Sequence, residues 1–255
     1  MVWLAPSDPF DADALAAPVA GIASRLVRHD SGWHSHARGQ LLFAYSGSMR
    51  ISLPGAISIL PPIRLAWIPG GTSHRIRIHG EVEYRSIYLD TTRLDAPFAA
   101  PAIVAMTPLL RELFERISFQ PLETDWSLGA ARNLLATCMD ELHAARHEPM
   151  LLPVPTDPRL AGIDLDALPP ELEPLSRQIG ASSRTITRIF RRQTGMGYQA
   201  WRQSWRLLRA VDKLASGQSV TGVAFDLGFS SDSAFIAFFR QMTGETPRRY
   251  LHKET

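Results

Sequence analysis

Two sets of residues have the types and spacing to do chemistry. In the first, His34 and His36 stand two apart, Gln40 follows four later, and His74 comes after the turn Pro69-Gly70-Gly71. Residues two apart on a strand point to the same side, so His34 and His36 can share one interior that His74 joins from a neighbouring strand. Three imidazoles in reach of one point suit a borderline divalent ion such as Zn, Ni, Fe or Mn. The same side chains can instead line a ligand pocket as neutral or protonated imidazoles, or stand as hydrogen-bonded structural groups in a barrel that binds nothing. The second set is cationic. Arg184, Thr187, Arg188 and Arg191 fall at i, i+3, i+4 and i+7, on the helix face opposite Ile186, Ile189 and Phe190. An arginine fork matches the O6 and N7 acceptors of guanine, which makes Arg184 and Arg188 base readers with Thr187 between them. Arg191 and Arg192 fall where phosphates are the expected partners.

The arginine face sits inside a pattern written twice. Leu175-Ser176-Arg177-Gln178-Ile179-Gly180 is echoed forty-eight positions later by Val223-Ala224-Phe225-Asp226-Leu227-Gly228. Ser182, Ile186, Phe190-Arg191 and Thr194-Gly195 are echoed, forty-nine positions later, by Ser231, Phe235, Phe239-Arg240 and Thr243-Gly244. Glycine ends a helix, serine caps the next, and apolar residues three or four apart keep one face in the core. Two helix-turn-helix units follow, at about 172–193 and 220–243. The outward face of the second carries Asp232, Ser233, Ile236, Ala237 and Arg240. Ser233 can bond a base edge, and Ile236 or Ala237 can pack a thymine methyl. Asp232 can accept from cytosine N4 or favour its helix N-terminus, and Arg240, late in the helix, suits a phosphate. This unit is expected to discriminate less than the first.

Between the units, Tyr198–Ala215 reads as one long helix packed through Trp201, Trp205, Leu208, Val211 and Leu214. Its rigidity would set the two reading helices one DNA turn, roughly 34 Å, apart. Arg202, Arg206 and Arg209 are expected to project from it, toward a nucleic-acid backbone or toward acids of the N-terminal half. The preceding stretch Asp157–Glu171 contains Gly162 and Pro169-Pro170, so its helix should be a stub.

Charge follows the same division. Residues 1–157 hold 13 arginines against 16 acids, whereas 158–255 hold 14 basic residues against 9 acids. From Pro174 to Lys213 nine basic residues face one acid, Asp212, the footprint of a surface that meets a polyanion. No run of about 18 apolar residues spans a membrane. The opening Met1-Val2-Trp3-Leu4-Ala5-Pro6-Ser7-Asp8 lacks the basic and apolar regions of a secretory signal. A single cysteine, Cys138, at helical spacing with Leu135 and Leu142, reads as a small buried hydrophobe, and a reducing cytoplasm is the expected home. Neither a Gly-rich phosphate loop nor a Gly-x-Ser-x-Gly nucleophile turn is present, so no catalytic residue is assigned.

These residues need elements to hold them. Short strands are expected at Gln40–Tyr45, Ser48–Leu53, Leu65–Ile68, His74–Ile78 and Glu83–Leu89, separated by Gly and Pro turns, as in a small β-barrel or sandwich. Trp33, Trp67 and Tyr45 are candidate walls of its cavity. From Met106 to Arg146 the period turns helical. Leu109, Leu110, Leu113, Phe114 and Ile117 form one stripe, and Leu128, Leu134, Leu135, Cys138, Met139 and Leu142 another. Such a pair can cover the barrel or meet a partner subunit. Pro149–Pro158, with four prolines, reads as a linker that resists helix and sheet, and everything beyond it as helical.

The two histidine segments resemble the paired motifs of the cupin superfamily, a jelly-roll barrel. Metal-binding cupins place His, His, Glu and His where this chain has His34, His36, Gln40 and His74. The neutral Gln40 and Ile78, in place of a trailing Asn, depart from that pattern. The stretch from Asp157 to Leu251 resembles the AraC/XylS family of bacterial transcription regulators. The likeness is tightest at Val223-Ala224-x-x-Leu227-Gly228-Phe229-x-Ser231-x-Ser233-x-Phe235-x-x-x-Phe239-Arg240-x-x-x-Gly244-x-x-Pro247-x-x-Tyr250. The resemblance implies a multidomain α+β protein. A cupin-like barrel with flanking helices (1–148) would sense an effector and dimerise. A linker (149–157) would lead to an all-α domain (158–255) of two helix-turn-helix units joined by a helix. Its implied partners are promoter DNA, a small-molecule effector with a candidate divalent metal in the barrel, a second copy in a homodimer, and RNA polymerase. A metal-dependent cupin enzyme, or a constitutive DNA-binding protein with an inert barrel, is the alternative.

Overall fold

The computed structural model describes residues 10–148 and 150–252; the opening segment Met1–Asp8 and Pro149 of the linker lie outside them. The chain divides into two compact units, one of Ile59–Met150 with the residues before Pro54, the other of Leu151–Tyr250 with Pro54–Ser58.

The first unit is built on two antiparallel sheets. The strands of the N-terminal half are β1 (Val19–Val27), β2 (Gly39–Ser46), β3 (Met49–Leu53), β4 (Ala56–Leu60, whose first three residues belong to the second unit), β5 (Arg64–Ile68), β6 (Arg75–Arg77), β7 (Glu81–Leu89) and β8 (Ala102–Ala105). One sheet has the order β1-β7-β2-β5-β8, and β6-β3-β4 lie in the other. The five expected strands are all present, within one or two residues at their ends. Three more, β1, β4 and β8, were not anticipated; β8 and the first six residues of β1 are buried on both faces and so lack polar alternation.

Two helices, α1 (Pro108–Ser118) and α2 (Gly129–Ala144), cover the outer face of the larger sheet. Pro108 presets the first turn of α1, and the Thr107 hydroxyl accepts from the Leu110 N–H at 3.1 Å. Leu110, Phe114 and Ile117 from α1 and Leu135, Cys138 and Leu142 from α2 join Leu41, Phe43, Leu65 and Val104 in one buried core. Each such Leu or Phe contributes about 1.5–3 kcal/mol by leaving water. Arg85 of β7 forks onto Glu115 of α1 at 2.8 and 2.9 Å and pins the helix to the sheet. The stripes thus cover the larger sheet, although Leu109 and Leu128 remain exposed. Of the two places open to Trp67, cavity wall or core, it takes the core of this outer layer. A Cβ on Gly39 would fall 2.0 Å from the tip of the Trp67 ring, so the indole needs a glycine there, while its N–H donates to Phe98 O.

The second unit holds α3 (Leu172–Ile179), α4 (Ser183–Thr194), α5 (Tyr198–Ala215), α6 (Val220–Asp226), α7 (Asp232–Thr243) and α8 (Pro247–His252). Gly180 and Gly228 make the left-handed turns at φ 65° and 70°, and Ser182 and Ser231 accept from the N–H groups of Thr185 and Ala234. The proline-rich linker is more ordered than expected: Leu152–Pro153 form a two-residue strand, β9, paired with Ala56 and Ile57. Gln193 of α4 accepts from the backbone N–H groups of Thr156 and Asp157, and Asp157 caps a short 3-10 turn at Pro158–Leu160.

Beyond that turn, residues 161–171 carry no helix, as the stub expectation requires, and helix does not run unbroken from the linker onward. Side chains of α5 hold the irregular segment instead: Tyr198 donates to Pro170 O, Arg202 to Pro169 O at 2.7 Å, and Trp205 to Leu165 O at 3.2 Å. The projecting arginines are therefore corrected. Arg202 and Arg206 are 7% and 8% exposed, and Arg209 pairs with Asp212 on its own helix. Arg206 donates to the carbonyls of Leu227 and Gly228 at 2.6–2.9 Å and lies 4.2 Å from the Phe229 ring centre. A cation there satisfies carbonyls that the end of α6 leaves open. Arg206→Ala is expected to cost about 2–3 kcal/mol, as loss of charged hydrogen bonds with their acceptors left buried. Arg209→Ala should cost under about 1 kcal/mol. Equal shifts in the urea midpoints of the two variants would contradict this assignment.

Candidate functional site

The first chemical set converges. His34 and His74 form an isolated antiparallel bridge, with backbone N–H···O contacts of 3.0 and 2.8 Å, which brings the loop before β2 against the loop before β6. His36 follows on the same side. One ring nitrogen from each of the three lies within 4.8 Å of the others, and burial rises from exposed His34 through half-buried His36 to buried His74.

The hydrogen bonds decide which nitrogens are free. Nδ1 of His34 meets Gly32 O at 3.2 Å, that of His36 meets Arg38 O at 2.6 Å, and that of His74 meets Thr72 O at 2.9 Å. A carbonyl can only accept, so each Nδ1 is the donor to its carbonyl, and Nε2 is the ring nitrogen left to meet the other two histidines. Backbone carbonyls on the far nitrogen are the usual way to orient metal-ligating histidines. His74 Nε2 is buried with no hydrogen-bond partner. Burial pushes the His74 imidazole down to about 4, so near neutral pH it stands uncharged with that lone pair available.

Gln40, on β2, completes the group. Its amide nitrogen lies 2.9–3.1 Å from the hydroxyls of Tyr84, Ser86 and Tyr88, which alternate along β7 and face the same interior. Its Oε1 therefore faces His36 Nε2, at 3.3 Å. That contact joins Gln40 directly to the histidine group. The orphaned His74 Nε2 and the convergence of three ring nitrogens beside Gln40 fit a divalent ion held by His34, His36, His74 and Gln40. Tyr84, Ser86 and Tyr88 were missed in the sequence; three hydroxyl-bearing residues at period two on a buried strand were the available signal. Of the proposed aromatic walls, Trp33 and Tyr45 are 53% and 38% exposed.

The second set is a surface. On α4, Ile186, Ile189 and Phe190 are buried, while Arg184, Arg188, Arg191 and Arg192 are exposed and Thr187 is half-buried between them. None of these arginines forms an ion pair among the described residues. On α7, Phe235 and Phe239 are buried, and Ser233, Ile236, Ala237 and Arg240 line one open depression. Asp232 is less available, because its carboxylate accepts from Thr221 Oγ1 of α6 at 2.6 Å.

Comparisons with known proteins divide the chain in the same way. A family model described as an AraC-like ligand binding domain matches residues 17–149, and one described as a helix-turn-helix domain matches 175–253. The HTH-type transcriptional regulator NimR of Escherichia coli is 29% identical over 87% of this chain and 82% of its own length. Among solved structures, the DNA-binding domain of AdpA in complex with a target DNA is 34% identical, covering 35% of this chain and 83% of that one, with a TM-score of 0.33. ToxT from Vibrio cholerae is 8% identical, covering 93% of this chain and 98% of its own, with a TM-score of 0.38. Among the described residues no helix is long and apolar enough to cross a membrane.

Proposed function

The chain belongs to the AraC family of transcriptional regulators, with a ligand-binding domain and a helix-turn-helix DNA-binding domain, and from that premise we propose how it reads DNA and what it senses. Arg184 and Arg188 of α4 read base edges, with Thr187 between them, and Arg191, Arg192 and Arg240 bind phosphates. Ser233, Ile236 and Ala237 of α7 contribute weaker reading, and Asp232 serves mainly to tie α7 to α6. The sensor is the cluster of His34, His36, Gln40 and His74, holding a divalent ion as effector or as the anchor of one. Domain boundaries follow the sequence reading: sensor to 148, DNA-binding half from 158. The regulator acts in the cytoplasm as a homodimer through the sensor half, contacts RNA polymerase at its promoters and catalyses no reaction. A metal-dependent enzyme is disfavoured because the relative matched over 87% of this chain is a transcriptional regulator.

The observation that carries the DNA reading is the exposed, unpaired arginine face of α4 on a serine-capped helix. Its test is ionic strength. Each phosphate neutralised releases counterions, so operator affinity should fall with a log–log salt slope near −0.9 per phosphate contacted, several units in total. Fluorescence anisotropy across a salt series measures it, and a flat response would remove this surface from the interface.

A further inference from the structure

The donor set around the proposed ion is neutral throughout. Three imidazoles that ligate an ion through Nε2, each donating Nδ1–H to a backbone carbonyl, bring no charge, and neither does the Gln40 amide. Among the described residues no carboxylate joins them. Asp13, which reaches this loop, is committed to the backbone N–H groups of Ala37 and Arg38, and the Arg38 guanidinium donates to carbonyls at Leu15 and Ala17. A divalent ion here would keep its full double charge in a half-buried site, where uncompensated charge is costly. Four protein donors also leave an ion that prefers six with two positions to fill. The interior side is taken by Tyr84, Ser86 and Tyr88, whose hydroxyls hold the amide, whereas His34 is exposed. New donors must therefore arrive past His34.

We infer that the effector is a small organic oxyanion that chelates the bound ion through two oxygens, as a 2-hydroxy- or 2-oxocarboxylate does, and that Gln40 keeps the site cationic for it. The inference rests on the ion-binding reading above. The hydroxyls on β7 are positioning groups: they hold the Gln40 amide beside the histidines. A glutamate at position 40 would bind the ion alone more tightly and the anion less, because it would supply the charge the anion brings.

The test uses the full chain, stripped with a chelator and reloaded with Co2+, whose visible absorption reports its donors. Oxalate and the neutral bidentate malonamide are the probes. Oxalate is expected to shift the cobalt band without removing the metal, and malonamide to leave it unchanged. Gln40→Glu should retain cobalt and weaken oxalate binding by about tenfold or more, the scale set by one added charge in contact with the ion. If Co2+ does not bind the native chain, the ion reading itself fails. If it binds but oxalate strips it, or acts no differently from malonamide, the ion reading stands and the anionic effector is overturned. Equal oxalate affinity in the native chain and a cobalt-retaining Gln40→Glu would overturn the role given to Gln40, and the native-chain result is independent of how that variant folds.

Discussion

Replacing Arg184 or Arg188 with alanine is expected to weaken operator binding by about 1–3 kcal/mol each and to relax preference at one or two base pairs. Both side chains stand exposed on α4, one turn apart and without an acid partner, with Ile186 and Ile189 anchoring the opposite face. The fold has no use for either guanidinium, so stability should be unchanged within about 0.5 kcal/mol. Arg240→Ala should instead lower affinity for all sequences nearly equally, as loss of a phosphate contact does. Binding measured on a set of single-base operator variants separates the two patterns. If Arg240→Ala changed base preference and Arg188→Ala did not, the roles of α4 and α7 would be reversed.

His74→Ala should abolish the response to metal while leaving metal-free operator binding intact. His74 supplies the one Nε2 that is both buried and without a partner, so its loss removes the donor least replaceable by water. An ion can alter DNA affinity only by binding the active and inactive arrangements differently. For ordinary couplings that is a change of about 5–150-fold in the native protein, and by reciprocity DNA changes ion affinity by the same factor. The variant should show no change, with ion affinity down by about 100-fold or more, beyond the loss typical of an outer-shell partner. Chelator treatment of the native chain should reproduce the variant. A normal metal response from His74→Ala would leave the three histidines as structural groups.

Much of the DNA-binding half was legible in the residues because its signals are local. A glycine at a left-handed turn, a serine three residues before the N–H it caps, and apolar positions on one face act within a single helical turn. Hence α4 and α7 and their outward faces could be placed from spacing alone. The five strands with polar or turn punctuation were equally visible, whereas β8 and the first six residues of β1, buried on both faces, carried no period to read.

Charge was the signal that misled. Spacing put Arg202, Arg206 and Arg209 on a helix but could not tell a solvated guanidinium from one spent on carbonyls of Pro169, Leu227 and Gly228, because those acceptors lie on other segments. The same limit applied to Trp67: its side of the sheet depends on the helix layer and on Gly39 beneath it. The amino-acid sequence alone determined the repeat, the capped helices, the arginine face and the histidine pair two residues apart, since each is a property of neighbours along the chain. Only the tertiary structure decided that His74 closes on His34 and that three hydroxyls of β7 hold the Gln40 amide beside them. It also decided that two arginines serve the fold rather than DNA, because each of these outcomes depends on strands or helices far apart in sequence reaching hydrogen-bond distance.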